Sequence, residues 1–512
     1  MLVLLRSAVF FAVAISFLGT PPVSGKAIED RDWIEVRTEN FRVRSNMREK
    51  EAIELIRYLE LFRAAVSVIT NVRSTESPIP TDIYALRGSN DFSVLGLDRM
   101  IAGLFIPGQR SNIMLIRDAR GMKETATILH EYVHFLVRNH GHLIYPKWFD
   151  EGFAEYLSAT RLTRKHFEVG VFPEERKPAL IYLTWIPIRR IISAENYNEW
   201  RDETKAMFYA ESWALVNYLQ NRPDNKTSFG QELAEYIKLT ESGETDVAAF
   251  EQAFGMTMNQ INRKVKSHLQ RGRFMHFTMK PEKLLPAFEP VVVDLSREQV
   301  SLHLAQVAFS MGKLDQAEGW LRIAATGEET RARAEAGLGD VLKFRGEFED
   351  ARPHFEKAVA LAPDDPYCQL DLAEYWHTLA ATTEDTDKRA EYISSARAHY
   401  VKAWKLDDSL PETFAQYGRT YLLEGQDFDR AIEMLEEAEY LLPSEIGIRI
   451  ALAEAYAGAG RNEDAVKLAR SVLVWSHYDS DLVKWAEELA APLESNEDQA
   501  EEVDDVTATT VP

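Results

Sequence analysis

His130-Glu131-Tyr132-Val133-His134 is the segment whose residue types and spacing point most directly to chemistry. Two histidines four residues apart lie about 40° apart around a helix, so both imidazoles reach one metal ion. Glu131, between them, is placed to act as general base on a water bound to that metal. The surroundings read as a helix, with Ile128, Leu129, Val133, Phe135, Leu136 and Val137 supplying its buried faces. Such a site needs a third protein ligand and one open position.

His140 and His142 are near in sequence, but the spacing speaks against both. Six residues beyond His134, His140 is turned roughly 240° around a continuing helix and points away. Gly141 reads as the helix stop, which leaves His142 in the following loop. Glu151 is the better third ligand, in Pro146-Lys-Trp-Phe-Asp-Glu-Gly-Phe-Ala-Glu-Tyr156. Pro146 and Asp150 suit a helix start, and Gly152 and Ala154 are small enough for close helix approach. The bland reading of Glu151 is a solvent-facing acid favoured by the helix dipole. Two imidazoles and one carboxylate suit Zn2+ better than oxygen-preferring cations.

His-Glu-x-x-His followed by Trp-x-x-Glu-Gly-x-Ala-Glu-Tyr resembles the gluzincins, which include the thermolysin and aminopeptidase families. It is most similar to the bacterial "peptidase MA-like" domains. The resemblance implies an α+β zinc-peptidase domain over residues 31–270 in which Glu151 is the third zinc ligand. It also implies that Glu155, four residues later, orients a zinc histidine. Tyr209 opens Tyr-Ala-Glu-Ser-Trp-Ala-Leu-Val, similar to the helix whose tyrosine donates to the oxyanion in gluzincin aminopeptidases. Ser212 stands where those enzymes have glycine, and their substrate-amine motif is missing, so aminopeptidase specificity is not implied. Tyr209 is equally readable as a core tyrosine beside Phe208 and Trp213.

These residues need elements to position them. Residues 33–45 alternate as two short strands, and residues 49–70 carry helical spacing at Ile53, Ile56, Leu59 and Phe62. Thr81–Ala85, Ile101–Ile106 and Ile113–Ile116 read as strands, the last two joined as a hairpin through Pro107-Gly-Gln-Arg-Ser-Asn112. From about Thr125 to 270 the pattern is mostly helical, with a loop-rich stretch near 170–200. Residues 271–297, with Pro281, Pro286 and Pro290, read as an interdomain linker.

Past residue 297 the chain repeats. Gly312 and Gly346 are 34 residues apart, and Gly425 and Gly460 are 35 apart. The gap of 79 between the pairs holds two units plus an 11-residue insertion near Ala381–Arg389. Alanine-anchored helices follow, as in Ala317/Leu321/Ala324 and Ala351/Phe355/Ala358. The pattern resembles the tetratricopeptide repeat (TPR), implying an all-α solenoid of about five units over 298–490 whose groove binds a protein partner. Cys368 falls inside a repeat helix and reads as a small core residue.

The ends and the charge complete the picture. Arg6 precedes an apolar run, Ser7–Leu18, and a small-residue stretch ending at Gly25, the form of a secretory signal over residues 1–25. An exported chain, periplasmic or secreted, is expected, with membrane association only through an uncleaved signal. Residues 491–512 hold seven acids among small polar residues and read as a disordered tail. Residues 1–300 carry 39 basic and 38 acidic groups, whereas 301–512 carry 20 and 43. That balance excludes a nucleic-acid face. The expectation is a zinc-dependent, endopeptidase-like hydrolase of a protein or peptide substrate, with a TPR module for recruitment. The alternative is an inactive envelope scaffold, against which the retention of Glu131 speaks.

Overall fold

The computed structural model describes residues 26–70, 79–97, 103–117, 126–139, 145–163, 165–193, 200–222, 229–242, 244–285, 288–475 and 481–490. The expected signal and acidic tail lie outside the described residues. The strands are β1 (Trp33–Arg37), β2 (Phe41–Ser45), β3 (Thr81–Leu86), β4 (Gly103–Ile106), β5 (Asn112–Arg117), β6 (Thr160–Leu162), β7 (Phe167–Val169), β8 (Phe277–Met279) and β9 (Val291–Leu295). Helices α1 (Glu49–Thr70), α2 (Ser89–Val94), α3 (Ala126–Arg138), α4 (Lys147–Ser158), α5 (Lys177–Tyr182) and α6 (Ile188–Ile192) come first. They are followed by α7 (Asp202–Asn221), α8 (Phe229–Glu241), α9 (Asp246–Phe254), α10 (Met258–Arg271) and α11 (Pro281–Leu284). The repeat helices are α12 (Arg297–Ser310), α13 (Leu314–Ala324), α14 (Arg331–Arg345), α15 (Phe348–Leu361), α16 (Pro366–Thr382), α17 (Thr386–Leu406), α18 (Pro411–Glu424), α19 (Phe428–Leu441), α20 (Ile446–Gly458) and α21 (Asn462–Trp475).

Two compact units interleave along the chain. The first holds residues up to Ile56, then Glu76–Glu124 and Glu289–Gly458. Its sheet has the order β4-β5-β3-β2-β1-β9. The β2–β3 and β3–β5 pairs are parallel, and the others are antiparallel. The strands and the β4–β5 hairpin expected between residues 33 and 116 are present. β3 is buried along its whole length, as a central strand covered on both faces must be.

The sheet region and the first repeats share one apolar core. Trp33, Phe92, Leu95 and Leu97 pack into the same cluster as Val300, Leu304, Trp320 and Leu321. A boundary near residue 297 therefore does not divide the chain into a sheet part and a repeat part. The supposed linker 271–297 instead carries β8, α11 and β9, and β9 adds to the sheet edge, Val36 opposite Val292. The physical reason lies in Val291-Val-Val-Asp-Leu295. Its β-branched residues favour extended pairing, whereas the neighbouring prolines taken alone suggest loop.

The repeat periodicity has a direct backbone cause. Gly346 and Gly425 end α14 and α18 in the left-handed conformation, at φ 80° and 71°. A side chain there would be strained, so glycine recurs at each such corner. The insertion forms no separate loop: it lengthens α16 to 17 residues and α17 to 21. Cys368 is fully buried in α16.

The second unit comprises residues 57–75, 125–288 and 459–512. It contains α3 to α10 and a small antiparallel sheet, β6-β7-β8. That sheet is not legible in the sequence, because three-residue strands are too short to show alternation. Trp148, with no exposed surface, anchors α4 beneath the rings of Tyr236, Phe250 and Phe254. Gly152 brings α4 against α7 so closely that a Cβ would lie 2.4 Å from the Ser212 carbonyl oxygen.

Candidate metal centre

α3 presents His130 and His134 from one face because its other apolar positions, Ile128, Leu129, Tyr132, Val133 and Leu136, are buried. α4 starts at Lys147 with Pro146 at its cap, which puts Glu151 one turn into the helix. Both imidazoles and Glu151 are buried. Their ligating atoms converge: His130 Nε2 stands 3.0 Å from Glu151 Oε2 and 3.2 Å from His134 Nε2. His134 Nε2 to Glu151 Oε2 is 3.5 Å. Ligands about 2.0–2.1 Å from a tetrahedral zinc lie roughly 3.3 Å from one another. The three observed separations bracket that figure, so the residues present fit the ion. Among the described residues this is the one grouping of three His, Cys, Asp or Glu side chains close enough to share a metal.

The atoms facing away from this point are also held. Lys147 Nζ donates to Glu151 Oε1 at 2.7 Å, leaving Oε2 turned to the histidines. Asp150 Oδ1 lies 3.1 Å from His134 Nδ1, and Arg138 donates to its other oxygen at 2.9 Å. Glu155 Oε1 lies 3.2 Å from His130 Nδ1, at ion-pair distance but off the axis of a good hydrogen bond. Arg176 Nε donates to Glu155 Oε2 at 2.8 Å. A carboxylate behind each distal nitrogen fixes the tautomer that turns the Nε2 lone pair toward the metal point.

The charges are strongly coupled. Burial alone lowers the His130 imidazole, but its hydrogen bond with Glu151 and the nearby Glu155 carboxylate carry it up to about 10. His134 is raised for the same kind of reason, burial being outweighed by Asp150 and Glu151. Burial raises Glu155, yet His130 and Arg176 hold it at about 2. Glu151 is held well below the usual carboxylate range, Lys147 and His134 overriding its burial. Burial dominates for Lys147 and lowers it. With the acids ionised, the cluster draws positive charge, whether protons on the imidazoles or a metal ion.

Glu131, next to His130 on α3, is exposed rather than buried with the ligands. Tyr209 lies two turns inside α7, which begins at Asp202 rather than at the tyrosine; its ring centroid is 6.0 Å from that of His130, and the Arg176 guanidinium lies 5.2 Å from the same ring. The structure thus brings together His130, His134, Glu151, Glu155 and Tyr209. His140 and His142 lie outside the described residues. Asp150, Lys147, Arg138 and Arg176 join the site without being singled out by the sequence. Asp150 reads there as a helix-start residue, whereas in the structure it sits behind His134. Arg176 arrives from the short 3-10 helix Glu174–Arg176 just before α5, and nothing local in the sequence marks it.

Comparison with known proteins bears on the repeats. The family model "Tetratricopeptide repeat" matches residues 333–365, the α14–α15 pair. A TPR repeat-containing protein, YpiA of Bacillus subtilis (strain 168), is 23% identical over 323 residues. The match covers 60% of each, so the chain spans about three fifths of that relative's length. Among solved structures, a thermophilic TPR protein of Thermus thermophilus is 26% identical at TM-score 0.34 over 38% of this chain and 98% of its own. YrrB, a TPR protein with an unusual peptide-binding site, is 19% identical at TM-score 0.28 over 37% and 90%. The carboxy-terminal part of the chain is a helical, TPR-like array, and the amino-terminal region contains a sheet.

Proposed function

We propose that the chain is a zinc-dependent hydrolase of peptide bonds whose TPR array holds a protein partner or substrate. The observation that carries this reading is the triangle of His130 Nε2, His134 Nε2 and Glu151 Oε2, with sides of 3.0 to 3.5 Å. His130, His134 and Glu151 would hold the ion, and Zn2+ in such a site polarises a carbonyl and makes water acidic near neutral pH. Three protein ligands would leave one coordination position open. Glu131, adjacent to a ligand yet exposed and not itself part of the triangle, would take the proton of the attacking water. Tyr209, beside His130, would donate to the oxyanion of the attacked carbonyl. Glu155 and Asp150 keep the two imidazoles oriented. The likeness of the His-Glu-x-x-His and Trp-x-x-Glu-Gly segments to gluzincins supports the same assignment. Export through the Arg6–Gly25 segment belongs to this proposal; among the described residues no helix is long and apolar enough to cross a membrane.

A second reading, a non-catalytic scaffold, is favoured by one contact. Lys147 already places an ammonium on Glu151 at 2.7 Å, and together with Arg138 and Arg176 it balances the carboxylates of Glu151, Asp150 and Glu155 without a metal. Glu131→Gln separates the two. Zinc content should stay at one per chain while hydrolysis of a peptide library falls at least a hundredfold, because an amide cannot accept the proton. Wild-type protein that takes up no zinc and cleaves nothing would leave the scaffold reading standing.

A further inference from the structure

The β4–β5 loop, Pro107–Ser111, meets the repeats through polar side chains. Arg110 Nη1 donates to Asp371 Oδ1 of α16 at 2.6 Å, and its Nε pairs with Glu412 of α18. Arg110 Nη2 lies 3.6 Å from Glu374 Oε2, and the guanidinium sits 5.8 Å from the Tyr367 ring. Gln109 lies beside Glu445, just before α20. These partners all lie on or beside α16, α18 and α20, the first helices of successive repeats, which stand next to one another in a row. The loop holds its shape through a tight turn in which a Cβ at Gly108 would meet the Ser111 carbonyl oxygen at 2.7 Å.

Elsewhere in the same unit, polar bonds such as Lys313 Nζ to the Leu95 carbonyl at 2.6 Å accompany an extensive apolar contact. Near the first repeat the sheet region is fixed to the helices by an apolar core that includes Trp33, Leu95, Leu304 and Trp320. Here one guanidinium faces three carboxylates and an aromatic ring, the chemistry by which a groove recognises an arginine presented on an extended segment. Arg110 is also only partly covered, its side chain keeping 28% of its exposure.

We propose that the β4–β5 loop is a built-in ligand of the repeat groove, and that the groove's partner is an arginine-bearing segment that must displace it. The proposal rests on the reading that the repeats hold a protein partner, and it specifies that partner's chemistry. Because the loop is tethered, it competes at an effective concentration of roughly millimolar. A peptide with a dissociation constant of about 10 μM for the open groove would then bind the intact chain on the order of a hundredfold more weakly. Pairing to β5, and through it to β3, keeps the loop near the groove after it lets go.

The probe is a fluorescent cyclic peptide carrying Phe105–Ile113, added to the full-length chain. Arg110→Ala should bind it at least tenfold more tightly than wild type, and a peptide with alanine for its arginine should not bind. Adding Asp371→Asn to Arg110→Ala should remove the gain. Equal binding by wild type and a folded Arg110→Ala, or equal binding of the two peptides, would overturn the proposal. Should Arg110→Ala fail to fold, hydrogen exchange on wild type decides: saturating peptide should increase exchange at residues 108–111, and unchanged exchange there refutes displacement. Only binding is read, so these outcomes are independent of whether the zinc site hydrolyses anything.

Discussion

Gly152→Ala is a perturbation whose sign discriminates. In an exposed helix interior, alanine for glycine stabilises by about 1 kcal/mol. At Gly152 the added carbon would lie 2.4 Å from the Ser212 carbonyl oxygen, 2.6 Å from its carbon and 2.9 Å from Val216 Cγ2. Carbon and oxygen rarely approach closer than about 3.3 Å, so α4 and α7 would have to part by roughly 1 Å. The obstacle is backbone, which cannot rotate aside, so the overpacking cost belongs near the top of the usual range of about 1–3 kcal/mol. After the helix gain is subtracted, a loss of about 2 kcal/mol remains. Glu151 is the preceding residue and moves with the helix, while metal sites tolerate ligand displacements of only about 0.2 Å. Zinc affinity, measured by competition with a fluorescent chelator, should therefore fall at least tenfold, and urea unfolding should shift to lower concentration. A variant that is more stable than wild type and holds zinc equally well would refute the proposed link between α4–α7 packing and the metal centre.

Two further predictions follow from charge and from the shared core. In metal-free protein the raised His130 pKa contributes stability that is full below the unfolded value of about 6.5 and is lost as pH rises through about 10. Urea midpoints in a chelator should therefore decline across that window. Zinc affinity should rise over the same range, as protons cease to compete; a metal-free midpoint that climbs toward pH 10 would contradict the assignment. Cutting the chain at residue 296 should leave the repeats aggregation-prone, because Val300, Leu304, Trp320 and Leu321 lose neighbours in the core they share with Trp33 and Phe92. Each large side chain re-exposed costs about 1.5–3 kcal/mol. A soluble, cooperatively folding fragment 297–490 would show that this shared core is dispensable.

Sequence legibility followed the range of the forces involved. His130 and His134 share a helix face, and helix geometry alone makes them neighbours. The β4–β5 hairpin and the repeat glycines are equally local, each set by alternation or by a left-handed corner. What stayed hidden depends on contacts between distant segments. β9 pairs with β1 across more than 250 residues. Arg176 steadies Glu155 from the 3-10 helix before α5. The hairpin tip Pro107–Ser111 reads as an ordinary turn, because its acidic partners lie some 260 to 300 residues away. The charge asymmetry does register those acids, though as solvated surface rather than as a lined groove. Gly152 is legible as a point of close approach, but its neighbour is α7 rather than the histidine helix.

The central claim is that His130, His134 and Glu151 hold a zinc ion, and X-ray absorption at the zinc edge of the purified full-length chain tests it most directly. The account predicts one zinc per chain, four-coordinate at about 2.0–2.1 Å, with scattering from two imidazoles and oxygen for the remaining ligands. Failure to take up zinc on reconstitution, or a bound zinc without imidazole scattering, would contradict it.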